Sequence, residues 1–324
     1  MKKFELTSET KINIFGKKLF RIKALISFGD VEAGETGGWV EKEGNVNQSG
    51  DAWVSGNAEV SDNAKVSGNA KVSGNAKVYG NAKVSVNAKV YGNAKVYGDA
   101  KVSGNAEVYG DAWVSDNAKV YGNAKVYGDA WVSGNAKVYG NAKVYGDAWV
   151  SGNAEVYGDA WVSDNAKVYG DAWVSGNAEV SDNAKVSGNA KVSGNAKVSG
   201  NAEVSDNAKV YGNAKVYGDA WVSGNAKVYG NAKVYGDAWV YGDAWVSGDA
   251  EVYGNADYTT IHGFGTQFRT TTFFRCKDKK VRVACGCFFG TIPEFREQVK
   301  NTRKGKIAEE YLMIADLMEK HFEK

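Results

Sequence analysis

Thiol or imidazole chemistry has few places to happen in this chain, which holds three cysteines, Cys276, Cys285 and Cys287, and two histidines, His262 and His321. Cys276, Cys285, Cys287 and His262 are the right residue types for a four-ligand zinc site. The spacing argues the other way, because Cys285-Gly286-Cys287 leaves a single residue between thiols where zinc sites leave more. The competing reading has Cys285 packed inward on a strand beside a glycine bulge. His321, late in an amphipathic stretch, suits a favourable charge at a helix C-terminus. Residues 50–253 contain no histidine at all, so this stretch lacks a side chain that titrates near neutral pH and could serve as a general base. No metal, no cofactor and no catalysis are expected. An odd, sparse set of cysteines fits a reducing cytosol better than a disulfide framework.

The residues that must position any site belong to a repeat. From Gly50 to Tyr253 the motif Gly-Asn/Asp-Ala-x-Val-Ser/Tyr runs through 34 hexads without a slip. Ala is invariant at the third place and Val at the fifth, while the fourth is only Lys, Trp or Glu. The first place is Gly except at Asp62, Val86, Asp116, Asp164, Asp182 and Asp206. Ala-x-Val is a two-residue alternation, which places Ala and Val on one side of a short strand and x on the other. Gly-Asn/Asp supplies a turn, since both tolerate positive φ. Fixed periodicity of this kind marks a repeat architecture and excludes a disordered low-complexity chain.

The hexads resemble those of the left-handed parallel β-helix, in which an aliphatic residue follows a small one by two places and three hexads complete a coil. One departure is that Ser or Tyr follows the aliphatic residue, where that family often has Gly. The resemblance implies a mainly β fold, a parallel β-solenoid of stacked coils with Ala and Val filling a narrow interior. Acyltransferases with this repeat use a histidine base between coils, and gamma-class carbonic anhydrases use three zinc-binding histidines. Neither group exists in these hexads, which leaves a degenerate sugar acyltransferase as the weakest of the functional readings.

A coil of three hexads turns the fourth places into three columns. One contains Trp113, Trp131 and Trp149 in succession, and another Lys65, Lys83, Lys101, Lys119 and Lys137. Every hexad Trp has Asp two places before it, here Asp111, Asp129 and Asp147. Three indoles at strand spacing would make a flat platform for sugar rings or an apolar protein face. Its carboxylates would accept hydrogen bonds from hydroxyls and repel phosphates. The alternative is that the ladders are solvated faces whose stacked aromatics tie coils together.

The ends differ from the repeat. Residues 1–49 read as an N-terminal β cap, with two or three short strands around Gly16 and a decayed first coil at 37–49 in frame with Gly44. Residues 50–256 are the hexads, and 257–324 read as a small α+β domain. In that domain "RTTTFFR" and "KKVRVACGCFF" are strands joined at Lys277-Asp278-Lys279. Thr291-Ile292-Pro293-Glu294 opens a helix with a capping box, and Ile307, Tyr311, Ile314, Ala315, Met318 and Phe322 mark a second. The three parts also resemble hexapeptide-repeat proteins encoded by bacterial prophages, through "FELTSETKINIFGKKLFRIKALISFGDVEAGETGGWVEKEGNV" and "TTTFFRCKDKKVRVACGCFFGTIPEF". That likeness implies a phage accessory protein directed at a host factor, and carries no established chemistry.

Charge and composition narrow the partners. The net charge is +2, with a single Pro, 40 Gly and 43% hydrophobic residues. Residues 254–324 carry 13 Lys and Arg against 9 acids, and the hexads are slightly acidic. No strong basic field favours nucleic acid, no run is apolar enough to span a membrane, and the start "MKKFELTSET" lacks the apolar core of a signal peptide. A protein partner in the bacterial cytoplasm is expected, with carbohydrate as an alternative. It would bind at the Trp ladder or at the non-repetitive basic surface of Arg269, Arg275, Lys280, Arg282, Arg303 and Lys304. The rival is a structural rod or fibre component, and a homodimer or homotrimer suits either.

Overall fold

A computed structural model describes residues 2–266 and 268–323. The protein is mainly β, a parallel β-solenoid followed by an antiparallel sheet and two helices. It forms two compact units, Met1–Gly176 and Asn177–Lys324.

In the first unit each hexad contributes a two-residue strand, and each strand pairs in parallel with the strand three hexads on. One face runs from Glu59–Val60 through Trp113, Trp131 and Trp149 to Lys167, and a second from Trp53 to Trp161. The third stacks Lys65, Lys83, Lys101, Lys119 and Lys137 in register. The second unit repeats the arrangement in Lys185→Glu203→Trp221→Trp239, in Glu179→Lys197→Lys215→Lys233→Glu251 and in Lys191→Lys209→Lys227→Trp245. Three hexads therefore complete one coil. The repeat's Ala and Val side chains are fully buried, because only small side chains fit where three short strands meet around a narrow interior.

The strand proper is only x-Val, with the preceding Gly-Asn/Asp in the turn, so Asp111 lies in a turn and Trp113 on the strand that follows it. Up to three backbone bonds per hexad join successive coils, as in Asn93 N–H to Gly110 O (2.8 Å), Lys95 N–H to Ala112 O (2.9 Å) and Tyr97 N–H to Val114 O (3.0 Å). The first place of the hexad has positive φ. A Cβ built on Gly110, for example, would sit 3.0 Å from the backbone N of Gly128 one coil on, which is why Gly dominates there. The aspartates at that place also have positive φ. Asp62, Asp116, Asp182 and Asp206 each use Oδ2 to accept the backbone N–H of the glycine one coil on. That bond offsets part of the left-handed strain. Val86 (φ 64°) has no such group to offer.

The N-terminal strands Phe4–Ile12 and Lys18–Ala24 pair antiparallel and are longer than the sequence pattern implied; Thr36–Val40 then enters the solenoid in parallel with Glu59–Val60. The frame here corrects the sequence reading. Val40 pairs with Val60 and Val46 bridges to Val66, each step being two places longer than three hexads. Val46 rather than Gln48 therefore takes the inward Val place. The extra pair of residues before the first full hexad lets Gln48 bind the N-terminal strand. Its Oε1 accepts from Lys3 N–H (2.7 Å) and its Nε2 donates to Phe4 O (3.1 Å).

The C-terminal region has four antiparallel strands, Tyr258–Phe264, Arg269–Arg275, Val281–Cys285 and Phe288–Thr291. Sequence pattern missed the first and ran the last two together. Gly286 at φ 61° makes the two-residue turn that splits "KKVRVACGCFF". Helix α1 (Ile292–Thr302) begins at the expected capping box, where Thr291 N–H donates to Glu294 Oε2 (2.7 Å) and Glu294 N–H to Thr291 Oγ1 (3.4 Å). Helix α2 is Lys306–Phe322. One face of the sheet, with Phe273 and Val283, packs on Phe295, Val299, Ile314 and Met318 of the helices. The other covers the last coil of its unit, where Trp245 N–H donates to Thr272 Oγ1 (2.9 Å) and Ala250 bridges to Cys276.

Candidate functional site

Rungs of the solenoid are joined by side chains as well as backbone. Amide ladders run along the turns, as in Asn75 to Asn93 (3.1 Å) and Asn93 to Asp111 (3.0 Å), each Nδ2 donating to the Oδ1 one coil on. A carboxylate only accepts, so Asp closes the series. Tyrosines stack face to face, with Tyr91, Tyr109, Tyr127 and Tyr145 spaced 4.8–5.0 Å apart. Burial pushes the Tyr79 and Tyr91 phenols up to about 12, helped by the neighbouring Tyr97 in one case and by Glu107 and Tyr109 in the other. Lys137 pairs with Glu155 (2.7 Å) and Lys125 with Glu107 (3.3 Å) across neighbouring coils. The stacked aromatics match the alternative reading of the ladders; the amide ladders were not anticipated, although Asn at the second place of most hexads was their available signal.

The tryptophan column is not one flat platform. Trp131 and Trp149 stack with centroids 5.3 Å apart and rings 7° from parallel, but Trp113 meets Trp131 at 64°. The cause is the residue sixteen places earlier. Trp131 Nε1 donates to Ser115 Oγ (3.2 Å) and Trp149 Nε1 to Ser133 Oγ (3.4 Å). Trp113 has Tyr97 there instead and packs edge-on against its ring at 75°, with Lys95 Nζ 4.1 Å from the Trp113 ring centroid. Trp161 and Trp173 meet Tyr145 and Tyr157 in the same way. Asp111, Asp129 and Asp147 are exposed in the turns beside the column.

The zinc ligands considered above do not converge, since among the described residues no group of three His, Cys, Asp or Glu could hold a metal. Cys276 is buried and burial pushes its thiol up to about 11. Cys285, half-buried, accepts from Thr271 Oγ1 (3.1 Å), Cys287 is exposed, and His262 Nδ1 lies 3.0 Å from Thr270 Oγ1.

The basic residues of the C-terminal region also separate. Arg275 is held by Asp257 (3.3 Å) and by Phe322 O (3.3 Å), and Arg282 by Asp278 (2.7 Å). Lys280 and Lys304 are exposed. Arg269 and Arg303 both line a cavity of about 290 Å³ that sequence could not reveal, because its lining is scattered from Phe264 to Tyr311. A wider cleft beside it shares Arg269 and Cys287 and reaches Trp245, with Lys227 Nζ 4.2 Å from that ring.

Residues 118–135, 136–152, 208–224 and 226–242 match the YdcK beta solenoid repeat. Each matched segment is one coil long, or a single residue short of it, and carries a tryptophan at its fourteenth place: Trp131, Trp149, Trp221 and Trp239. The match covers less than half of the chain and is a likeness of the repeat. A search of curated proteins finds no match. Among the described residues, no helix is long and apolar enough to cross a membrane.

Proposed function

We propose that the chain is a non-catalytic binding protein whose hexads form a rigid scaffold and whose C-terminal α+β domain recognises a protein partner. What supports this reading is where exposed charge outside the repeat lies. Many solenoid side chains are committed to their neighbours one coil away, in amide ladders, Tyr stacks and Lys–Glu pairs, and the exposed lysines that remain, such as Lys65, Lys83, Lys101 and Lys119, form a uniform column. In the C-terminal domain the exposed cations Arg269, Lys280, Arg303 and Lys304 have no ion pair among the described residues. The prophage resemblance gives the setting, an accessory role toward a host factor in the bacterial cytoplasm, acting as a single chain or a homo-oligomer. The test is affinity capture from bacterial lysate with the intact chain and with Lys280→Glu plus Lys304→Glu. The reading requires a protein retained by the first and lost from the second; retention by both would sink it.

A second reading, a structural rod or fibre component, is favoured by the C-terminal sheet covering the end of its solenoid, since an open coil exposes strand edges that repeat proteins must cap. Under it, the charge reversals leave every interaction unchanged and the oligomer is the functional species.

A further inference from the structure

We propose that the cavity beside Arg269 and Arg303 is a small-molecule site for an organic carboxylate with an apolar body. This goes beyond the partner reading and does not depend on it.

The walls set the body. Phe264, Phe288, Phe295 and Val299 line the cavity, with Phe288 and Phe295 in ring contact at 5.4 Å and Phe295 edge-on to Tyr311 at 5.8 Å. A volume of about 290 Å³ lies at the small end of ligand pockets, so the ring of an aryl acid fits and a nucleotide or peptide does not.

The polar part of the lining sets the charge. No carboxylate is among the described lining residues, and neither arginine has an ion pair among the described residues. The Arg269 guanidinium lies against the turn at Gly286, where an added Cβ would collide with its Nη1. Only glycine leaves it that place. Arg303 spends one hydrogen on Thr302 O (3.3 Å), which leaves most of its fork available. Two planar forks beside aromatic walls match a carboxylate, which accepts bidentate bonds while its ring covers apolar surface.

Tyr311 completes the lining. Its OH donates to Phe264 O (3.2 Å), and burial, with Cys285 beside it, raises its pKa while Arg303 and Arg269 act against the rise. The phenol is thus neutral and already engaged, and it does not repel an anion. Inorganic phosphate would satisfy the guanidinium forks but leave the rings uncovered.

Calorimetric titration of the full chain with benzoate, benzamide and inorganic phosphate tests this. Saturable 1:1 binding of benzoate is expected, with phosphate at least tenfold weaker and the neutral benzamide giving no heat. Arg269→Gln should raise the benzoate Kd at least tenfold with an unchanged thermal midpoint. Gln298→Glu, which adds a negative charge to the lining and leaves both arginines, should do the same and serves if the first variant folds poorly. Absence of benzoate binding, equal binding of phosphate, or indifference to both substitutions would each overturn the proposal.

Discussion

Trp149 lies directly over Trp131, with centroids 5.3 Å apart and rings 7° from parallel, and the serine sixteen places before each indole accepts its N–H. The sixth place of one hexad therefore sets the pose of a tryptophan in the fourth place of the hexad one coil on. Ser133→Ala should lower stability by about 0.5–1 kcal/mol, the net worth of one partly exposed hydrogen bond. Ser133→Tyr should turn Trp149 edge-on, as Tyr97 does to Trp113. Near-ultraviolet circular dichroism reads the stacked pair; an unchanged signal in the tyrosine variant contradicts this rule. Trp239 marks its limit. It has Ser223 sixteen places earlier yet meets Trp221 at 76°, and it ends its column with half its surface exposed.

The interior is less forgiving than the faces. Val132 is fully buried between Val114 and Val150. Val132→Asp puts a carboxylate where no donor can reach it, and should cost roughly 4 kcal/mol or more. Limited proteolysis should then cut near the substituted coil. Trp131→Lys, on the other face of the same strand, should leave the protein folded, since Lys occupies this place in most hexads.

The difference between these positions explains what could be read beforehand. A channel that admits only Ala and Val imprints itself on every hexad, so the inward face was legible there, while coil length, and column membership with it, came from the likeness to the left-handed parallel β-helix. The cap was not legible. Val40 and Val46 lie inward without the surrounding motif, and the two-place slip before Val54 serves a tertiary contact, Gln48 with Lys3 and Phe4. Gly286 did carry a turn signal, but it sat inside an apolar run that read as one strand. The basic residues looked like one surface because sequence cannot show that Asp257 and Asp278 take Arg275 and Arg282. Nor can it show that Arg269 and Arg303, one on a strand and the other past the end of a helix, both line one cavity.

Val86 is the one β-branched residue at the hexad's first place, with φ at 64°. An L-residue in that conformation costs roughly 1–2 kcal/mol, and a glycine there gives back part through its greater freedom when unfolded. Val86→Gly should therefore stabilise by about 0.5–1 kcal/mol in chemical denaturation. At Asp116 the order is different. Its Oδ2 accepts Gly134 N–H (3.1 Å), so Asp116→Ala should lose both this bond and the tolerance of positive φ. Asp116→Gly should lose the bond alone. A melt in which Asp116→Ala is the more stable of the two rules out a cost of positive φ at this place.

The tyrosine ladders give the protein an alkaline limit. Burial raises the phenols of Tyr79 and Tyr91 to about 12, and those of Tyr109, Tyr121 and Tyr127 upward from their ordinary value of 10. A group with its folded pKa above its unfolded one binds more protons in the folded state. Its stabilising contribution is complete below pH 10 and is lost as pH rises toward 12. The thermal midpoint should thus hold level up to about pH 9.5 and fall steeply between pH 10 and 12, in step with phenolate absorbance. Replacing Tyr91, Tyr109 and Tyr127 together by Phe keeps the stacked rings and removes the titrating groups, so the fall should become shallower. If the triple variant loses stability over the same range and by the same amount, the limit lies elsewhere in the molecule, and the ladders hold the coils through ring contact alone.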